Sequence, residues 1–276
     1  MQRSSRSSAG SHLVSEMARV LRILFVERRL PGKLYQLYYS MLNRLGIRVT
    51  TVHLANGFTV RGYTHCFFMF YEVWDKKDYD IPGFSLARNM TVVDIGANQG
   101  FFTLYAASKG ATVYAFEPCS ENFEMLKWNV LKNEVQDRVR MVNAAVTGKD
   151  GEVEFFVGLD GSGNIMSGTA STRNEDRGGR GVEARSAKSV TLDSLLSDLQ
   201  IDRCDFLKMD CEGAEYEILA GASQESFRKI ARISVECHEN RMQEAAAILE
   251  NAGFRIVYAR QSEAGILKAT NAFLTS

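Results

Sequence analysis

The sequence lacks an excess of either charge: 33 lysines and arginines face 33 aspartates and glutamates. Chains that work on nucleic acid usually carry a basic surplus, so the balance argues against a nucleic-acid partner. The chain also lacks an apolar run near the ~18 residues a membrane-spanning helix needs, which argues against stable membrane insertion. Its five cysteines, Cys66, Cys119, Cys204, Cys211 and Cys237, are odd in number and form no C-x-x-C pair. That argues against a disulfide framework or a zinc knuckle, and a reducing, cytoplasmic compartment fits better.

What is present is ordinary for a globular protein: 276 residues, 45% hydrophobic and 24% charged. This is enough for one large α/β domain and an extension. Residues 1–13 are rich in Ser and Arg, contain no acid and read as a disordered tail, with only a weak likeness to a transit peptide. Met17, Val20, Leu21, Leu24 and Phe25 fall on one helical stripe, and Leu34, Leu37, Tyr38, Met41, Leu42 and Leu45 on another. Pro31-Gly32 breaks between them. The stripes would serve a substrate cap, a homodimer face or a membrane-surface contact, but such stripes more often pack on a protein's own core. Residues 48–73 carry strand formers around Asn56-Gly57, a hairpin signal. Residues 74–90 read as a connecting loop.

From residue 91 strand and helix signals alternate. Strands are expected at 91–95, 111–116, 139–146, 152–157, 206–209, 233–235, 254–258 and 266–274. Helices are expected at 99–109, around Phe123, Leu126 and Val130, near 214–220 and at 241–252. Repeated β-α units imply a mostly parallel sheet with helices on both faces. The organisation expected is an extension over 1–89 and a cofactor-binding domain over 90–276. Residues 158–188, rich in glycine, read as a long loop, either a lid or a solvated insertion.

Asp94-Ile95-Gly96-Ala97-Asn98-Gln99-Gly100 follows a strand and opens a helix. Glycines there allow a tight turn and close approach to a ligand, and the helix N-terminus offers free N–H groups to a carboxylate. Glu117 follows the next strand, where a nucleotide-binding fold places its ribose acid. The NAD fingerprint G-x-G-x-x-G would need glycine at position 98, where this chain has Asn98. The departure points to S-adenosylmethionine (SAM).

Two further clusters follow apolar strands: Lys208-Met209-Asp210-Cys211-Glu212-Gly213-Ala214-Glu215 and Glu236-Cys237-His238-Glu239. Asp210 is expected to help place the cofactor and Glu215 to cap a helix. Strand alternation would put Asp210 with Glu212, and Glu236 with His238. His238 has the intrinsic pKa of a general base, which Glu236 would orient. Alternatively, Asp210, Glu236 and His238, with Glu212, would hold a divalent ion such as Mg²⁺ or Mn²⁺, a less favoured reading.

These motifs together resemble the FkbM family of SAM-dependent methyltransferases. The likeness runs over about residues 70–240. It rests on Val92 to Gly100, on Phe116-Glu117-Pro118 with Asn129 and Asn133, and on Asn143-Ala144-Ala145-Val146. Val190 to Leu195, Lys208 to Glu215 and Glu236-Cys237-His238 complete it. The resemblance implies a class I, Rossmann-like sheet of seven strands. It implies cofactor contacts from Glu72, Tyr79, Asp94, Gly96, Asn98, Gly100, Phe101, Glu117, Pro118, Asn143, Ala144 and Asp210. It also implies O-methylation of a sugar of a glycan or glycolipid, or of a natural product, with Asp210, Glu236 and His238 catalytic and Glu212 and His238 at the acceptor. Two alternatives remain: an N-methyltransferase, although no Pro-Pro of the nucleobase-amine type occurs, and an NAD-dependent oxidoreductase.

Overall fold

The computed structural model describes residues 32–159, 181–261 and 265–274. The tail at 1–13, the stripe at 17–25 and most of the loop at 158–188 lie outside these residues. The chain divides into two compact units, Met1–Lys76 and Lys77–Ser276.

In the first unit, helix α1 (Gly32–Arg44) precedes the antiparallel hairpin β1 (Val49–His53) and β2 (Thr59–Tyr63). The hairpin turns at Asn56-Gly57, as the sequence suggests. Gly57 has φ +87°, and Asn56 Oδ1 accepts the Phe58 N–H. Beyond β2 the aromatic-rich chain turns helical: a 3₁₀ turn, α2 (Phe67–Tyr71) and a π-helical turn over Glu72–Lys76. Strand-forming residues are therefore helical here, with Phe67 buried and stacked on Tyr39 at 4.7 Å. Tertiary packing outweighs strand propensity.

The second unit holds a seven-stranded sheet of order β11-β12-β10-β9-β3-β4-β5. Its strands are β3 (Thr91–Ile95), β4 (Thr112–Phe116), β5 (Val139–Val142), β9 (Phe206–Met209), β10 (Arg232–Cys237), β11 (Phe254–Arg260) and β12 (Gly265–Asn271). Neighbours from β10 to β5 are parallel, and β12 runs antiparallel to β10 and β11. The chain winds from β3 outward through β4 and β5, then returns to lay β9 on the other flank of β3. That reversal creates a crevice at the carboxyl ends of β3 and β9, the place where open α/β sheets bind ligands.

Helix α3 (Phe101–Ser108) follows β3, and α4 (Ser120–Lys132) follows β4. Helices α5 (Leu192–Asp198), α6 (Glu215–Gly221), α7 (Gln224–Lys229) and α8 (Met242–Asn251) follow. The Thr191 hydroxyl accepts the Ser194 N–H at the start of α5, and Ser223 accepts that of Ser226 at the start of α7, satisfying donors that a helix start leaves open.

The third and fourth expected strands differ from the sequence reading. The segment 139–146 splits at Asn143, and β6 (Ala145–Val146) leaves the main sheet. It joins β7 (Gly151–Gly158) and β8 (Val182–Val190) in a separate sheet of order β6-β8-β7. Residues 182–188, expected as loop, are strand paired from Gly151↔Ser189 to Gly158↔Val182. The largely polar residues of β8 do not mark themselves as strand in a glycine-rich stretch.

Candidate active site

Parallel register aligns Ile95 with both Phe116 and Met209, and Val235 with Met209. The segments that follow, 96–100, 117–119, 210–215 and 238, therefore emerge at one edge of the sheet. The chemistry-bearing residues of the second unit named from the sequence are brought there; Glu72 is the one outside that unit. That residue belongs to the first unit, where its carboxylate lies 3.6 Å from Lys76.

The glycine turn is built on backbone proximity. Gly96 has φ +73° and Gly100 φ +85°, and a Cβ on Gly96 would stand 1.8 Å from the Asp210 carbonyl oxygen. Asn98 is left-handed at φ 51°, and its side chain accepts the Gln99 N–H. Asn129 of α4 donates to the Gln99 carbonyl at 2.8 Å and fixes the turn from the other side. Phe101, buried, begins α3.

Asp94 is fully buried beneath this turn. Its Oδ2 accepts the Thr103 hydroxyl at 2.6 Å, and its Oδ1 faces the Lys208 ammonium at 3.3 Å. Lys208 is 3% exposed and also donates to the Gly96 carbonyl at 2.7 Å, with Asp210 Oδ2 at 3.7 Å. Burial alone would lower its pKa, but Asp94 and Asp210 together raise it above the ordinary lysine range. The ammonium thus ties the glycine turn to the acid turn. Sequence reasoning gave Lys208, Thr103 and Asn129 no such role. The available signal was a lysine inside the apolar strand Phe206–Met209, which burial makes costly unless paired.

Glu117 lies buried at the end of β4. It accepts the Asn98 N–H at 2.8 Å and the Cys119 N–H at 2.9 Å. Each oxygen keeps acceptor capacity for a ribose hydroxyl. Asn143 donates to the Glu117 carbonyl at 2.7 Å and the Pro118 carbonyl at 3.2 Å, so the turn and Ala144, buried beside it, are locked together. The positive φ angles, the close approach at Gly96 and the buried acid fit a nucleoside cofactor.

Burial pushes Glu117 up to about 7, against the backbone donors that pull it down. The folded state therefore holds the proton between about pH 4.5 and 7, where an unfolded chain has released it. Stability from this group is expected to fall as pH rises through that window, by about 3 kcal/mol at about 1.4 kcal/mol per unit. Denaturant unfolding across pH 4.5–8 measures it, and Glu117→Gln should flatten that part of the profile.

On the other side, Tyr79 Oη lies 2.9 Å from Asp210 Oδ2 and 2.8 Å from Glu236 Oε2. One hydroxyl hydrogen cannot serve both, so the second contact calls for a proton on one carboxylate. Burial and the charge of Asp210 push Glu236 well above the usual carboxylate range.

His238 and Glu236 have different hydrogen-bond partners. The His238 Nδ1 lies 3.0 Å from Glu215 Oε1, and its Nε2 lies 3.6 Å from Glu212 Oε2. The carboxylate that meets the ring is thus Glu215, which the sequence suggested only as a helix cap, and not Glu236. Strand alternation fails here because β9 ends at Met209 and Glu212 is left-handed at φ 53°. Burial would lower the His238 pKa, but the Glu215 hydrogen bond and the charges of Glu215, Asp210 and Glu212 push it to about 10.

Asp210, Glu215 and His238 offer ligand atoms within 4.8 Å of one another. Glu215 already receives the Cys211 and Gly213 N–H groups as well as the ring. An ion at Oε1 would compete with the Cys211 N–H and the ring, which already form a hydrogen-bonded acid–imidazole pair there. Chelation and dialysis are expected to leave methyl transfer unchanged.

Comparison with known proteins adds to this geometry. The sequence profile described as "Methyltransferase FkbM domain" matches residues 94–256. The chain is similar to methyltransferase sdnD of Sordaria araneosa, 28% identical over 214 residues, covering 68% of this chain and 82% of that one. It is similar to 31-O-demethyl-FK506 methyltransferase FkbM of Streptomyces tacrolimicus, 28% identical over 238 residues, covering 76% and 90%. Among solved structures, methyltransferase FkbM from Methylobacillus flagellatus KT superposes with a TM-score of 0.47 at 14% identity, covering 72% of this chain and 47% of that one.

Proposed function

The chain belongs to the FkbM methyltransferase family, and from that premise we propose that it methylates a hydroxyl group of a sugar or a natural product. It is a SAM-dependent methyltransferase, and its main sheet has the class I, Rossmann-like architecture. The NAD-dependent alternative ends with that membership. The hydroxyl acceptor rests on one observation: an imidazole, His238, stands at the sheet edge among Asp210, Glu212 and Glu215. A hydroxyl must lose its proton as it is methylated, and a positioned imidazole can take it. The relative named 31-O-demethyl-FK506 methyltransferase supports an oxygen acceptor on a natural product.

SAM supplies an electrophilic methyl on a sulfonium. On this reading Gly96, Asn98, Gly100 and Phe101 shape its binding turn, with Asp94 beneath. Glu117, with Pro118, Asn143 and Ala144, takes the nucleoside, and Tyr79 and Asp210 the amino-acid part. Glu212 and Glu236 border the acceptor. Holding oxygen, methyl and sulfur in line supplies much of the acceleration. We place the enzyme in the cytoplasm and read residues 1–89 as a packing or capping element. Among the described residues no helix is long and apolar enough to cross a membrane.

With His238 held near 10, its neutral form is scarce at neutral pH. The rate constant kcat/KM is therefore expected to climb about tenfold per pH unit from pH 6 toward 9. Incubation with ¹³C-methyl SAM and a panel of polyols, phenols and amines identifies the acceptor. A methyl carbon on oxygen in the product spectrum is the expected result. A methyl carbon on nitrogen would replace this reading.

A further inference from the structure

We propose that Glu215 is the positioning residue for His238, accepting the Nδ1–H so that Nε2 is the nitrogen presented to the acceptor hydroxyl. This rests on the reading of His238 as the base.

Glu215 opens helix α6 but is buried at 4% exposure, which a dipole-favoured surface acid would not be. Its Oε1 accepts the Cys211 N–H at 2.8 Å, and its Oε2 accepts the Gly213 N–H at 3.0 Å. These two anchors stop the carboxylate from rotating. The turn is shaped to supply them: with Glu212 at φ 53° and Gly213 at φ 111°, the N–H groups of Cys211 and Gly213 both reach the carboxylate. A left-handed Glu212 is strained, and such strain persists only where the surroundings hold it.

An ionised carboxylate only accepts. With Oε1 at 3.0 Å, Nδ1 must carry the hydrogen. The nearest carboxylate oxygen to Nε2 is that of Glu212 at 3.6 Å, beyond hydrogen-bond length. Nε2 is thus the ring nitrogen left for chemistry. The acidic groups facing the ring are Glu215 from α6, Asp210 and Glu212 from the turn after β9, and Glu236 from β10. In the transfer, an oxygen lone pair forms the O–C bond and the S–C bonding pair stays on sulfur, giving the neutral thioether. The hydroxyl proton passes to Nε2. The resulting imidazolium keeps its Nδ1–H on Glu215 and is stabilised there.

The test begins on the wild-type protein, whose four histidines make ring resonances assignable. A ¹⁵N titration is expected to show His238 losing the Nε2 proton while Nδ1 stays protonated. Loss from Nδ1 instead would overturn the proposal. Glu215→Gln reverses the hydrogen bond and stabilises the wrong tautomer. It is expected to lower kcat about 10²–10⁴-fold and move the pH–rate midpoint down by more than one unit. S-adenosylhomocysteine should still bind it within about threefold of wild type. Glu215→Asp, which keeps the carboxylate, is expected to recover more than tenfold over Glu215→Gln. A Glu215→Gln enzyme with the wild-type rate and pH profile removes Glu215 alone. A His238→Ala enzyme with the wild-type rate removes the base itself, and the two failures are thereby distinct.

Discussion

Gly96→Ala is expected to abolish SAM binding and to destabilise the fold. The new Cβ would meet the Asp210 carbonyl oxygen at 1.8 Å, backbone against methyl, with no flexible side chain to yield. The alanine would also have to hold φ near +73°. That conformation costs about 1–2 kcal/mol for an L-residue, and overpacking a tight interior adds about 1–3 kcal/mol. Relief requires parting β3 from β9, which moves Asp210 and breaks the Lys208 bond to the Gly96 carbonyl. Gly100→Ala is the comparison: its Cβ would meet the Leu126 Cδ1 at 2.5 Å, the far end of a side chain that can rotate. Denaturant unfolding and calorimetric titration with S-adenosylhomocysteine should therefore rank Gly96→Ala well below Gly100→Ala. Equal behaviour would mean that the approach at Gly96 does not shape the pocket.

Lys208→Met is expected to cost about 3–5 kcal/mol, the range for removing one partner of a buried ion pair. Methionine fills similar space, so packing is kept while Asp94 and Asp210 lose their counter-charge and the Gly96 carbonyl loses its donor. Asp94 cannot turn to water, because it is fully buried and its other oxygen is held by Thr103. Asp94→Asn in the Lys208→Met background should recover part of the loss, giving a double-mutant cycle far from additive. A loss below about 1 kcal/mol would show that the ammonium is not needed there.

Much of this was legible in the sequence because it rests on local pattern. The apolar strands ending at Ile95, Phe116, Met209 and Val235 announced a parallel sheet. Asn98 in place of a central glycine marked the turn as unlike an NAD site. The rest depends on approach between distant segments, which periodicity does not encode. Glu215 reads as a helix-start acid until the turn at Glu212-Gly213 folds it under His238. Glu236 shares a period of two with His238, yet β10 ends at Cys237 and the two side chains meet different partners. Lys208 reads as a break in an apolar strand until Asp94 and Asp210 are seen around it. Strand β7 was legible, but β8 hid in the glycine-rich stretch because its alternation is polar.

Whether His238 is the base is tested by single-turnover methyl transfer with His238→Ala, run beside its affinity for SAM. SAM is expected to bind within about threefold of wild type while the transfer rate falls about 10²–10⁴-fold, the usual share of a general base. Methyl transfer to the same hydroxyl at the wild-type rate would contradict that role.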